Sequence, residues 1–551
     1  MHINFRRLGL LFRGFFIPVL FFASLSSVAQ VNEPVTNEVY NYLYRMAQKG
    51  WIEWQDYQLP LDRRAISNAL NEIRKNASDL TQVERKELSF YWKDFSFDSV
   101  ETDTSGRAYF KMFSVNNESR YKTLLIRDGH NKLFLEPEFG ASYLSGKGKS
   151  NTTKFSGVRV SGYFGKHFGM NFSFRDFSES GDSIDFVKEF SDRQGIINTG
   201  QSNKSLSYSK LNYNVTYKWK KGSLTVGKDD LIYGYGKGGN IILSGKAPSF
   251  PYILFNYTPW KWVHFNYFHG WLQSDVIDSL RSYNTGSGVG SSQRIIYRQK
   301  FIASHSIIVN PVKGLEVGIG ESIVYSDKIN IGYLVPVSFF KAFDHYSSDY
   351  AIEAGSNAQF FGLISSRNHI KNTHLYAQLF IDEIRLLKIF DKKERRNQLG
   401  YTLGINKTDL LLHYLSVGVE YTHINPFVYN NLIPTQTYTS HSYYLGDWMG
   451  NNADRVFIYA DYTPLPKLKL RAEFQQIRKG AAGNLVQQYN QQPQPAFLFQ
   501  KLFTYREVAG SISYELVNSL KVYARVNQVK WIYPTSNNSA TGVSVGFSYG
   551  L

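Results

Sequence analysis

Cysteine is absent from the 551 residues. Disulfide staples, thiolate nucleophiles, thiolate metal sites and a lipidated N-terminal cysteine are therefore excluded, and the fold must rest on hydrogen bonding and burial. Past Ala29 no stretch approaches the ~20 continuous apolar residues that a membrane helix needs. The zinc-hydrolase motif HExxH is missing too. His264 with His269, and His369 with His374, are separated by five residues, an odd number that puts each pair on opposite faces of a strand. Acidic residues are in deficit, 45 against 62 Lys and Arg, for a formal charge of +17.

What is present begins with MHINFRRLGLLFRGFFIPVLFFASLSSVAQ. Arg6, Arg7 and Arg13 precede an apolar run from Phe15 to Leu25, and Ser27-Val28-Ala29 supplies a small-x-small exit. This is the grammar of a secretory signal peptide over 1–29, and the run is too short for a helix to span a bilayer. Its removal, with three arginines and no acid, lowers the formal charge from +17 to +14. That balance favours anionic partners such as lipopolysaccharide phosphates or acidic polysaccharides, although part of it solvates turns and loops. Export argues against nucleic acid and nucleotide.

Residues 30–95 read as a small helical module. TNEVYNYLYRMAQKG places Val39, Leu43 and Met46 on one face and stops at Gly50. LDRRAISNALNEIRK repeats the pattern with Ile66, Ala69, Leu70 and Ile73. A third helix opens on the capping box Thr81-Gln82-Val83-Glu84 and carries Leu88, Tyr91 and Trp92. The module is too short to hold a large core alone, so it docks on something else.

Over 96–551 the period is two. In KLNYNVTYKWKKG, Leu211, Tyr213, Val215, Tyr217 and Trp219 alternate with polar residues, and such strands run to about nine residues or more, the length of a tilted membrane strand. Tight turns at Gly165-Lys166, Lys220 to Gly222, Pro464 to Lys467 and Val517 to Ser519 contrast with long polar stretches at Ser178 to Ser205, Ser274 to Gln293 and Gly480 to Gln500. Short turns on one rim and long loops on the other are the pattern of an outer-membrane barrel. With 39 Tyr, 40 Phe and 9 Trp there is ample material for interfacial girdles. The chain ends GVSVGFSYGL, an apolar face suited to barrel closure. At about 25 residues per strand and its connections, the region holds about 18 strands. The expectation is an all-β transmembrane barrel of about 18 antiparallel strands with a periplasmic α-helical module.

GYGKGG, Gly234 to Gly239, matches the dinucleotide fingerprint GxGxxG by letters alone. No amphipathic helix follows, and Pro248 and Pro251 forbid one, so the segment reads as a glycine-rich bend in or between barrel strands. Among carboxylates, Asp382 and Glu383 are adjacent and face opposite ways. Glu136 and Glu138 share a face about 7 Å apart by strand rise, a hydrolase spacing that lumen acids paired with basic neighbours also show. No cofactor or metal is expected.

Several segments together resemble the Wzi capsule assembly family of outer-membrane proteins: YNYLYRMAQKGWIEWQDYQLPLDR, GKDDLIYGYGKGGNIILSGKAPSFPYI, AIEAGSNAQFFGLISSR followed by LYAQLFIDEI, VEYTHINPFVY, and LGDWMGNNADRVFIYADYTP. The resemblance implies an 18-stranded barrel, helices packed at its periplasmic end, and a non-enzymatic, lectin-like role holding capsular or extracellular polysaccharide at the cell surface. Within those segments and the loop SHSYYLGDWMGNNADR, Tyr235, Lys237, Arg367, Tyr443, Trp448, Asp454 and Arg455 are the candidate ligand-binding residues, and Glu136 and Glu138 the lumen carboxylates. Tyr443, Tyr444 and Trp448 equally suit a girdle or loop core. Expected partners are surface polysaccharide, including acidic polymers, outer-membrane lipids and lipopolysaccharide, and a protein met through the helical module. A channel or an accessory subunit of a secretion or uptake machine is the alternative reading.

Overall fold

The strand Ser205–Trp219 settles which face of the alternation turns inward. Asn212, Asn214 and Thr216 are buried, whereas Tyr213 and Val215 are 39% and 46% exposed. A sandwich in water would bury the apolar face; polar residues inside and apolar residues outside mark a wall against lipid. The same inversion holds in the last strand, where Val543, Val545 and Phe547 are exposed.

A computed structural model describes residues 29–550 apart from 99–108, 117–118, 129–130, 287–291, 350–354, 392, 395 and 518. The expected signal peptide, Ala29 excepted, lies outside the described residues. Eighteen antiparallel strands close into a barrel. The first six are β1 (Asn131–Gly146), β2 (Lys149–Phe164), β3 (Phe168–Gly181), β4 (Ser205–Trp219), β5 (Gly222–Asp229) and β6 (Phe250–Trp260). Next come β7 (Val263–Ile277), β8 (Tyr297–Val312), β9 (Leu315–Ser326), β10 (Ser356–Arg367), β11 (Thr373–Ile384) and β12 (Asn397–Thr408). The last six are β13 (Leu415–Ile424), β14 (Ala453–Leu465), β15 (Leu468–Lys479), β16 (Phe503–Val517), β17 (Leu520–Ile532) and β18 (Asn537–Tyr549). Each pairs with its successor, and β18 returns to β1 through the register Phe547↔Ala141. Below that closure the hairpin of Tyr109–Asn116 and Ser119–Asp128 pairs with the first residues of β1.

At one rim the strands are joined by two to six residues, as at Lys220-Lys221 and 409–414. Most connections at the other rim are longer, and three of them do not project as loops. Residues 230–249 and 425–452 turn into the lumen, where Tyr235, Ile241, Ile242, Tyr429, Tyr438 and Leu445 form one core with inward-facing wall residues such as Tyr252, Phe268 and Phe380. Residues 327–349 lie instead on the outer face, over Tyr267, Phe301, Ile323 and Tyr325. Of the three stretches read from sequence as long polar loops, two start later than read, because β3 runs to Gly181 and β7 to Ile277, while the third extends over 480–502.

Three helices, α1 (Val39–Gln48), α2 (Arg63–Lys75) and α3 (Gln82–Phe95), close the short-turn rim. Thr81 caps α3 in the capping box its sequence announces, with Glu84 returning the bond, and Gly50 leaves α1 at φ +76°, a conformation glycine adopts without strain. Their apolar faces meet in a core of their own. Polar contacts tie the bundle to the rim: Lys49 to Asp409 at 2.6 Å, Lys469 to Glu87 at 2.8 Å, Lys218 to Asp62 at 2.6 Å, and Tyr44 to His374 at 2.8 Å. Between α1 and α2 the chain enters the barrel, where Gln58 and Leu59 pair with Tyr233 and Ile232. The helical module and the glycine segment are therefore parts of one plug.

Candidate functional site

The glycine segment does receive an anion, but an internal one. The amides of Lys237 and Gly238 donate to the carboxylate of Glu420 on β13 at 2.8–2.9 Å, and Gly236 N–H donates to Asn240 at 2.8 Å. Successive N–H groups converge on an anion as in a phosphate-binding nest, with a wall carboxylate in that position. The glycines are required by closeness. A Cβ on Gly236 would stand 2.0 Å from the Gly239 carbonyl oxygen, and one on Gly239 would stand 2.5 Å from Asp447 Oδ2.

Five of the seven sequence-predicted residues gather in this plug. Arg455, fully buried, grips Asp447 with two nitrogens at 3.1 and 2.8 Å and lies 5.5 Å from the Trp448 ring centroid. Trp448 Nε1 donates to Gly238 O at 2.9 Å. Tyr235 donates to Glu316 at 2.5 Å, and Arg367 bonds Asp56 and the Trp54 carbonyl while resting against the Tyr44 and Tyr235 rings. Lys237 Nζ sits 4.2 Å over Tyr44. These side chains hold the plug to the wall and to the helical module. Asp454 and Arg455, adjacent in sequence, face opposite ways: Asp454 points outward and accepts from Arg478 at 2.9 Å and from Tyr421 at 3.2 Å. Tyr443 lies under residues 182–197 and donates to the carbonyls of Val187 and Ile196.

Glu138 is buried in the lumen and committed to Arg159 at 2.5 Å, Arg175 at 3.6 Å and the Ser173 hydroxyl at 2.9 Å. Glu136 stands opposite Arg159 in the ladder. Asp382 accepts from Tyr429 N at 2.7 Å, and Glu383 pairs with Arg396 at 3.0 Å. Among the described residues no group of three or more His, Asp or Glu is arranged for a metal.

Residues 182–197 cross the mouth as a strap. Lys246 fastens it through the carbonyls of Ser191 and Arg193, both at 2.7 Å, and of Lys188; burial lowers this ammonium to about 8. Phe190 on the strap reaches the rings of Trp448, Phe503, Tyr505 and Trp531, at 5.1–6.1 Å between centroids. Beside it the inward faces of β15, β16 and β17 carry a cluster that composition and motifs did not single out. Trp531 lies 4.8 Å from Tyr505 and stacks on Tyr533 at 9°, and all three rings keep exposed surface. Below them Glu507 accepts from Tyr505, Gln475, Asn527 and Arg525 at 2.8–3.0 Å, and Arg525 also pairs with Glu473 at 2.5 Å. Arg525 keeps about a third of its side chain exposed. The signal was present in KVYARVNQVKWIY, where Arg525, Asn527 and Trp531 share the lumen face of an otherwise ordinary barrel strand. Half-exposed aromatic faces over a floor of amide, guanidinium and carboxylate groups can stack on sugar rings and exchange hydrogen bonds with hydroxyls.

The family model for capsule assembly protein Wzi matches residues 138–530. Among solved structures, the Escherichia coli outer membrane protein Wzi, described as a carbohydrate-binding β-barrel involved in group 1 capsule assembly, aligns at 11% identity and a TM-score of 0.57, covering 96% of this chain and 99% of that one. Pseudomonas aeruginosa OccK3 (OpdO) and OccK5 (OpdH) align at 11% and 9% identity with TM-scores of 0.40 and 0.41, over 76% of this chain and 95% and 98% of theirs, scores too low to carry an argument. A comparison with curated proteins finds no match. The family match runs from within β1 to within β17 and takes in the connections 230–249 and 425–452, and on that match this outer-membrane β-barrel belongs to the Wzi capsule assembly family.

Proposed function

We propose that the chain is a non-enzymatic barrel that binds capsular or extracellular polysaccharide at the cell surface, and that the mouth cluster of Tyr505, Trp531, Tyr533, Arg525 and Asn527 makes the contact. The observation that carries this reading is the exposure of those rings and of Arg525 toward the mouth, while Tyr235, Lys237, Trp448 and Arg455 are spent on the plug. The latter serve the site by holding the wall and the strap around it. In this reading residues 1–29 direct export, the helices of 30–95 face the periplasm and offer a docking surface for a protein partner, and the long-connection rim faces outward. The apolar wall contacts outer-membrane lipid and lipopolysaccharide, and the positive balance of the chain suits an acidic polymer.

Trp531→Ala tests the site. Loss of one stacked ring costs about 1.5–3 kcal/mol of burial and ring contact, so polymer binding by the purified barrel weakens tenfold or more and surface staining of capsule falls. Migration of the unheated barrel on a gel shows that the variant is folded. Undiminished binding by a folded Trp531→Ala protein removes the mouth cluster from the mechanism. Failure of the wild type to bind any surface polymer, with capsule retained in its absence, removes the function.

A further inference from the structure

One connection at the long rim goes where no loop reading sends it. Leaving β9, the chain forms two short helices, α4 (Ile331–Leu334) and α5 (Phe340–Asp349), before β10, and these lie against the outside of β7 to β10. The wall beneath them breaks the apolar rule. Along β9 the outward-facing Ile319 is 67% exposed, but Glu321, Ile323 and Tyr325, which follow on the same face, are at most 2% exposed. Beside them on the same outer face stand His305 and His269.

Glu321 is six residues above the short-turn rim, about 15 Å in height at ~3.4 Å per residue and a tilt of ~40°. The stacked and exposed pair Trp260 and Trp262 marks the girdle at that rim, and an apolar band of ~25 Å starts there. Glu321 therefore falls at the depth of acyl chains. A carboxylate there is costly unless its lone pairs are met. Here they are met by the sheath: Phe340 N–H and Lys341 N–H, at the start of α5, donate to Glu321 at 2.9 and 2.7 Å. His305 rests on the Phe340 ring with centroids 4.5 Å apart, Tyr267 donates to Tyr333 O at 2.8 Å, and Tyr333 bonds Ser356 at 2.8 Å.

The opposite face of the sheath is apolar and uncovered. Ile331 and Val337 are 77% and 80% exposed, and Leu334, Val335 and Phe339 are exposed beside them. This ridge is continuous with the exposed wall residues Val317, Ile319 and Ile364 below and beside it. The geometry points to acyl chains of the outer leaflet as its occupant: residues 329–346 form a membrane-embedded sheath that replaces a polar section of barrel wall with an apolar one, and binds lipid laterally instead of reaching into the medium.

Absence of native cysteine makes the test clean. Val337→Cys and Ile331→Cys, each carrying a nitroxide in phospholipid vesicles, are compared with Ile319→Cys on the bare wall and Leu280→Cys in the 278–296 connection, with unheated gel migration confirming a folded barrel. The sheath positions should relax with oxygen as Ile319→Cys does, and at least fivefold less with a water-soluble nickel chelate than Leu280→Cys does. Nickel accessibility equal to that of Leu280→Cys would place the ridge in water and overturn the proposal. Inaccessibility to both reagents, with spin broadening between molecules, would assign the ridge to a second copy and overturn it equally.

Discussion

The Arg455–Asp447 pair offers the sharpest test of the plug. Both side chains are wholly buried, and Asp447 accepts two bonds from Arg455 and one from Met449 N at 3.0 Å. In Arg455→Met the methionine fills much of the vacated volume, but the carboxylate loses its counter-charge and two of its three donors. Removing one partner of a buried ion pair costs about 3–5 kcal/mol, because the remaining charge has no water to turn to. At 1.4 kcal/mol per decade that is about two to three and a half decades in the equilibrium between seated and released plug. The wall is spared, since its ladders contain neither side chain, so the unheated barrel should still migrate as a closed barrel. Limited proteolysis should then cut within 230–249 and 425–452, which resist in the parent. Asp447→Leu combined with Arg455→Met removes both charges and should recover most of the loss, as apolar replacements of buried pairs do. Equal protease resistance in Arg455→Met and the parent, or no recovery in the double variant, would refute the assignment of this pair to seating the plug.

Gly236→Val forces a side chain toward the Gly239 carbonyl, so the plug should release to protease at least as readily, while nucleotide leaves the melting of the parent unchanged; a shift in melting with nucleotide would contradict the internal role of the glycine segment. Acid should undock the helical module. Burial works against ionised Glu84 and Glu87, yet Lys49 with the Thr81 cap, and Arg45 with Lys469, outweigh it, and both carboxyls titrate below their ordinary value of 4.5. A depressed carboxyl contributes stability above its unfolded value that is lost as pH falls through the folded one, so amide exchange in α1 to α3 should stay slow at pH 6 and accelerate as the pH falls below 4.5. Undocking on raising the pH from 6 to 8, or none at pH 3, would show that other contacts hold the module.

Much of the architecture was legible. A period of two, short turns alternating with long connections, and a division of region length gave about 18 strands, and the ring has 18. The capping box at Thr81 and the stop at Gly50 placed helix ends because caps are local chemistry. The site was read less well. Tyr443, Trp448, Asp454 and Arg455 look alike as polar or aromatic residues in a long connection, yet they divide among strap contact, plug and both faces of β14. Trp531 and Arg525 sat unremarked inside a regular strand, since nothing in that pattern says that these inward-facing side chains keep exposed surface.

What the sequence by itself determined was everything that depends on neighbours a few residues apart: helix caps, turns, and an alternation that suits a barrel wall. What only the tertiary structure decided was where each long connection goes. The partner that admits the glycine segment, Glu420, lies 183 residues from Lys237, and the carboxylate that needs the outer sheath becomes costly only once β9 faces lipid. Whether a connection projects, fills the lumen or wraps the wall is set by free energies of burial between residues far apart in the chain, and no short window of sequence contains both sides of that balance.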